Sequence, residues 1–159
     1  MTTREQPWLD DDEARGRIVV LSRNPIAESI ELIAAAVGRP VVVVERDEDG
    51  LGLEEIVGLA LAVGDAVVLC DHDAPDAPQV LRAALASEAS YVAMMASRRR
   101  SEGLLAELEQ EAAPGLDKLH VPAGLNTGGK APGEIALSVV AEIVAESYGR
   151  PGGPMRTAG

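Results

Sequence analysis

Phenylalanine is absent from this chain of 159 residues, and aromatic residues make up only 2% of it. A core must therefore be built from Val, Ile, Leu, Ala and Met, side chains that fill the space between a sheet and the helices laid on it. The single cysteine, Cys70, excludes an internal disulfide and leaves too few thiols for a cysteine-based structural zinc site. No apolar run reaches the ~20 residues needed to span a bilayer. Basic residues are scarce too: 14 Lys and Arg stand against 26 Asp and Glu, a formal net charge of −12. This excludes nucleic acid as a partner, because affinity there comes from neutralising phosphates with cations. The segment Met1–Asp12 is polar and acidic and lacks the order of a signal peptide. The expectation is a cytoplasmic protein without membrane contact.

What is present is the composition of a globular domain, 47% hydrophobic and 25% charged, at a length that suits one core. Residues 1–15, with the acidic run Asp10–Glu13, are expected to form a disordered arm. Residues 16–149 are expected to form the domain. Residues 150–159, rich in Gly and Pro, are expected to be a flexible tail.

Within the domain, short apolar runs alternate with helical patterns. Arg17–Leu21, Pro40–Glu45, Asp65–Cys70, Tyr91–Met95 and the weaker Leu119–Val121 are continuously apolar, as parallel strands covered on both faces are. Asn24-Pro25 opens a first helix, with Ile26, Ile30, Ile33 and Val37 as its apolar stripe. Further helices are expected over Leu53–Val63, Pro78–Ser87, Arg98–Ala112 and Pro132–Tyr148. The pattern predicts an α/β fold: a doubly wound, mainly parallel sheet of about five strands with helices on both faces. The third strand should lie beside the first. The switch point then falls between the loops at Ser22–Pro25 and Asp71–Asp76, outside the carboxyl ends of the strands, where such sheets bind ligands.

The first turn, LSRNPIAES, contains no glycine. A dinucleotide fingerprint needs glycines there so that the pyrophosphate can approach the backbone. NAD, NADP and FAD are therefore expected to bind weakly or not at all, and Glu45, in the ribose position, reads as a strand-end acid. The third strand ends in Cys70-Asp71-His72-Asp73. His72 borders the crevice and is a ligand-contact candidate, whereas the carboxylates also suit turns and the start of the next helix. Cys70 reads as a small buried apolar residue.

The fourth strand runs into Ser97-Arg98-Arg99-Arg100. Ser97 is a natural N-cap, but three cations beside a positive helix end are electrostatically out of place. Either a bound anion or nearby acids such as Asp71, Asp73 or Glu102 must offset them. The last strand leads into HVPAGLNTGGKAPGE, a pliable loop that could cradle a phosphate or a pterin, although it lacks the ending of a Walker loop.

As an ordered series, these elements resemble the C-terminal Rossmann domain of the XdhC/CoxI family. The likeness is carried by Cys70-Asp71-His72-Asp73, by Ala96-Ser97-Arg98-Arg99, and by His120, Pro122, Gly124, Leu125, Gly128, Pro132, Glu134, Ile135, Ala136, Ser138, Ala141 and Glu142. It covers roughly residues 65–148. This sequence departs from the family pattern in its glycine-free first turn, in Ala96 for Gly, in Asn126 for Asp and in Ala131 for Thr. The resemblance implies handling of the molybdenum cofactor (molybdopterin): its maturation, or its insertion into a client molybdenum hydroxylase of xanthine or carbon monoxide dehydrogenase type. The cofactor-binding candidates are His72, Asp73, Ser97, Arg98, Arg99, Gly124, Leu125, Asn126 and Gly128. No catalytic residue or metal ligand is assigned, and the residues favour a binding and delivery module over an enzyme. The alternatives are a nucleotidyl- or sulfur-transfer enzyme using Cys70, and a Rossmann scaffold that makes only protein contacts. A homodimer is compatible with either.

Overall fold

The computed structural model describes residues 16–45, 52–71 and 73–157. The elements follow in chain order: β1 (Ile18–Leu21), α1 (Pro25–Ala36), β2 (Val41–Val44), α2 (Leu53–Gly58), β3 (Ala66–Leu69), α3 (Ala77–Ala86), β4 (Tyr91–Met94), α4 (Arg98–Gln110), β5 (Leu119–His120) and α5 (Pro132–Ser147). The five strands form one sheet in the order β2-β1-β3-β4-β5. Every pairing is parallel, with Val19 opposite Val42 on one side and Val67 on the other. The third strand thus lies beside the first, and the expected doubly wound fold is present.

Alternate strand residues feed two separate cores. Val19, Leu21, Val67, Leu69, Val92 and Met94 face α2, α3 and α4. Ile18, Val20, Ala66, Val68, Tyr91 and Ala93 face α1 and α5. Strands β1, β3 and β4 are buried at every position, which is why they read as unbroken apolar runs. Strands β2 and β5, the two edges, are half-buried.

The helix boundaries follow local chemistry, with one exception. Asn24 caps α1 by accepting the Ala27 N–H at 2.8 Å, with Pro25 in the first turn. Helix α2 was expected to reach Val63, but it stops at Gly58. There the Arg17 guanidinium donates to the Leu59 carbonyl at 3.0 Å, and Ala60 takes a positive φ of 50°. Asp65 then accepts the Ala62 N–H at 2.9 Å and turns the chain into β3. The Asp65 carboxylate also binds Arg17 at 2.7 Å. Burial raises its pKa, but the hydrogen bonds from Arg17 and from the Ala62 and Arg17 amides offset this and leave it below its ordinary value. After α5, the chain brings Gly152 against Leu125 and Ala145, and Met155–Thr157 make one 3-10 turn.

Candidate functional site

The carboxyl edge of the sheet gathers the loops after β1, β3, β4 and β5. In the first of these, the polar residues Ser22, Arg23 and Asn24 precede α1. The Asn24 amide caps α1 and also donates to the Cys70 carbonyl at 3.2 Å. Arg23 binds Glu45 at 2.9 Å and Glu31 at 3.4 Å. Glu45, in the ribose position, thus faces Arg23 in a surface-exposed pair.

After β3, Cys70 is buried, and burial, reinforced by the neighbouring Asp71 charge, pushes its thiol up to about 12. Asp71 accepts the Asp73 N–H at 3.1 Å in a local turn. Asp73 is exposed and pairs with Arg100 at 3.0 Å. Asp76 precedes α3 but does not cap it; its carboxylate takes the Gly52 N–H at 3.0 Å. His72 lies outside the described residues.

After β4, Ser97 caps α4 as expected, accepting the Arg100 N–H at 3.2 Å. The three arginines then separate. Arg100 takes the nearby carboxylate of Asp73, the plain electrostatic outcome. Arg98 and Arg99 are exposed and have no hydrogen bond or ion pair among the described residues.

The loop after β5 is seated from below. Gly124 has a φ of +99°, and a β-carbon there would lie 2.4 Å from Ser138 Oγ, so only glycine fits. Its N–H donates to Glu142 Oε1 at 3.0 Å, and the Leu125 N–H donates to the Ser138 carbonyl at 3.2 Å. Asn126 and Gly128 are exposed, the latter with a φ of +81°. Ala131 carries no capping oxygen, so Glu134 alone takes the Lys130 and Ala131 amides, each at 3.1 Å. The Ala123 N–H donates to the Met94 carbonyl at 3.3 Å, which ties this loop to the end of β4 beside the arginine turn.

Beneath the loop lies a polar cluster, of which the sequence offers His120 and Glu142 only as carriers of the family resemblance and not the contact between them. Tyr91, fully buried in β4, donates its hydroxyl to Glu142 Oε1 at 2.5 Å. His120 stacks on the Tyr91 ring at 4.4 Å, with Nδ1 at 3.4 Å from Glu142 Oε2 and Nε2 at 3.8 Å from Glu146 Oε1. Burial raises the Glu142 pKa, but hydrogen bonds from His120, Tyr91 and Gly124 outweigh it and hold the carboxyl below its ordinary value. Burial, and then the Glu142 charge, push the Tyr91 hydroxyl well up. A buried tyrosine hydroxyl needs a partner, and this was the available sequence signal: a Tyr heading an otherwise aliphatic strand.

Among the described residues, no three His, Cys, Asp or Glu side chains are placed to hold a metal ion, and no helix is long and apolar enough to cross a membrane.

Comparison with known proteins places this arrangement. A Bacillus halodurans crystal structure described as a xanthine dehydrogenase superposes with a TM-score of 0.67, covering 94% of this chain and 50% of that one. At 19% identity, this likeness concerns the fold. The Escherichia coli (strain K12) protein YqeB, described as uncharacterized, is 38% identical over 68 residues, which are 42% of this chain and 13% of that one. The chain therefore spans half or less of the length of these relatives. The model of the XdhC Rossmann domain matches residues 18–143, which is most of the chain, and the protein belongs to that family.

Proposed function

We propose that this chain binds a phosphorylated, pterin-type molybdenum cofactor at the carboxyl edge of its sheet. It would assist the cofactor's maturation or its insertion into a molybdenum hydroxylase of xanthine or carbon monoxide dehydrogenase type. One observation carries the reading: in a chain of net charge −12, Arg98 and Arg99 stand exposed, without an ionic partner among the described residues. They lie in the first turn of α4, where the helix end is already positive. An anion there relieves the repulsion and meets both guanidinium forks.

The donor set fits such a group. Guanidinium and backbone N–H groups suit a phosphate, and the exposed loop at Asn126–Gly128 leaves backbone open to a ligand. When bound, the cofactor would supply its metal–dithiolene centre to the client enzyme. The residues of this chain would hold and orient it: Arg98 and Arg99 at the anionic end, and the Gly124–Gly128 loop beside it, kept in place by Glu142 and Ser138. The engaged first turn and the buried thiol favour a binding and delivery role over dinucleotide redox or sulfur-transfer chemistry.

The test uses melting curves of the parent and of the double variant Arg98→Ala, Arg99→Ala, with and without inorganic phosphate at constant ionic strength. Phosphate should raise the parent Tm by mass action and the variant Tm much less. An equal response in both proteins removes the arginines from the site.

A further inference from the structure

The carboxyl edge also carries a cleft that the arginine turn alone does not explain. It lies between α3 and α4 and has a volume of about 430 Å³. Leu81, Met94, Gly103 and Leu104 line its apolar part, and Arg100 and Glu107 also border it. A second cleft, of about 460 Å³, sits between α2 and α3 at the opposite, amino edge. Among the described residues, Glu88 is the one charged residue of that second lining, which gives it no charge at two ends as in the first.

Gly103 is the informative residue. It sits inside a helix of 13 residues, where glycine is a poor helix former. Its φ is not positive, and a β-carbon built there meets nothing within 4 Å. Neither backbone conformation nor packing therefore calls for glycine. Its effect is to leave the cleft wall without a side chain.

The ends of the cleft differ in charge. Arg100 and Glu107 stand about 10 Å apart along the helix axis at a rise of ~1.5 Å per residue. Their present partners are exchangeable: Arg100–Asp73 is 52% and 72% exposed, and Glu107 is 63% exposed in its 3.4 Å pair with Arg82. The cleft volume falls within the range of ~300–1,000 Å³ common for small-molecule sites.

We propose that this cleft seats the ring system of an anionic heteroaromatic molecule bearing an amino group. The anionic side points to the Arg100 end of the cleft, one turn or less from Arg98 and Arg99, the donor edge meets Glu107, and the bare backbone at Gly103 admits the ring between Leu81, Met94 and Leu104. The proposal rests on the ligand reading above and adds where the ring goes.

The probe is 6-carboxypterin, titrated against the full chain by fluorescence anisotropy. The parent should bind it. Gly103→Leu fills the cleft with a better helix former, so it should keep or raise the Tm while weakening binding at least tenfold. Glu107→Gln should weaken binding severalfold. Ala86→Leu, in the amino-edge cleft, should leave binding unchanged. No binding by the parent at millimolar probe overturns the proposal, as does unchanged affinity in Gly103→Leu. If affinity is unchanged in Gly103→Leu while phosphate stabilisation still depends on Arg98 and Arg99, the cleft is refuted and the anion reading stands. If Gly103→Leu abolishes binding while phosphate stabilisation is indifferent to the arginines, the cleft stands and the arginine reading fails.

Discussion

Replacing Tyr91 by Phe removes one oxygen atom from the centre of the molecule. The ring stays, fully buried and stacked on His120, so packing is preserved. What is lost is a donor to Glu142, whose carboxylate also receives the Gly124 N–H and faces His120 Nδ1. A hydrogen bond to a charged group is worth about 1.5–3 kcal/mol, so a loss of about 2 kcal/mol is expected at pH 7. The pH dependence follows from the depressed Glu142 pKa. Its folded value lies below the unfolded value of ~4.3. The stabilisation is therefore present in full above the unfolded value and is lost as pH falls through the folded one. Once Glu142 is protonated, the Tyr91 hydroxyl keeps only a neutral contact, worth about 1 kcal/mol. The gap between the parent and Tyr91→Phe should therefore shrink by about half on acidification. Urea titrations followed by circular dichroism, from pH 7 downward, measure it. A loss below about 0.5 kcal/mol at pH 7, or a gap that widens in acid, would refute the reasoning.

Gly124→Ala forces a side chain against Ser138 and into a glycine-type φ, so it should cost about 1–3 kcal/mol. An unchanged Tm would show that the loop is not seated on α5. Cys70, its thiol pushed up to about 12, should react with alkylating reagents far more slowly in the native protein than in urea. Labelling of the folded protein at the rate of a free thiol would restore sulfur transfer as a contender. Calorimetry with NAD, NADP and FAD should show no tight binding, because the first turn has no glycine and its Arg23 and Asn24 side chains pair with Glu45 and with Ala27 and Cys70. A micromolar Kd for any of the three contradicts this.

The strand order and the two-faced burial were legible because aliphatic runs such as Ile18–Leu21 and Ala66–Leu69 carry their environment in their composition, although the equally apolar Val41–Val44 is only half-buried at the sheet edge. The caps at Asn24 and Ser97 were legible because they are local. The end of α2 was not. Leu53–Val63 has a helical pattern, but Arg17 and Asp65 stop the helix from outside, through contacts 42 residues away in the case of Arg17 and Leu59. The Tyr91–Glu142 contact spans 51 residues and was invisible for the same reason. The arginine turn was visible as an anomaly, but the sequence does not show that Asp73 satisfies Arg100 and leaves Arg98 and Arg99 to something else. The glycine at 103 gave no signal until its surroundings were known to be empty.

The packing of α5 along α1 has a consequence for synthesis on the ribosome. Within this domain β1 and α1 emerge well before α5, yet Val20, Ile30 and Val68 share their core with Ala136, Val139 and Ile143, which follow β1 by more than a hundred residues. The opposite core can close once α4 has left the exit tunnel, because its members end at Leu108 apart from peripheral residues up to Val121. A nascent chain halted before Pro132 therefore carries one finished face and one apolar face open to the solvent. The second core waits on the 16-residue helix α5, and any chaperone that attends translation would meet the side of the sheet that α5 later covers.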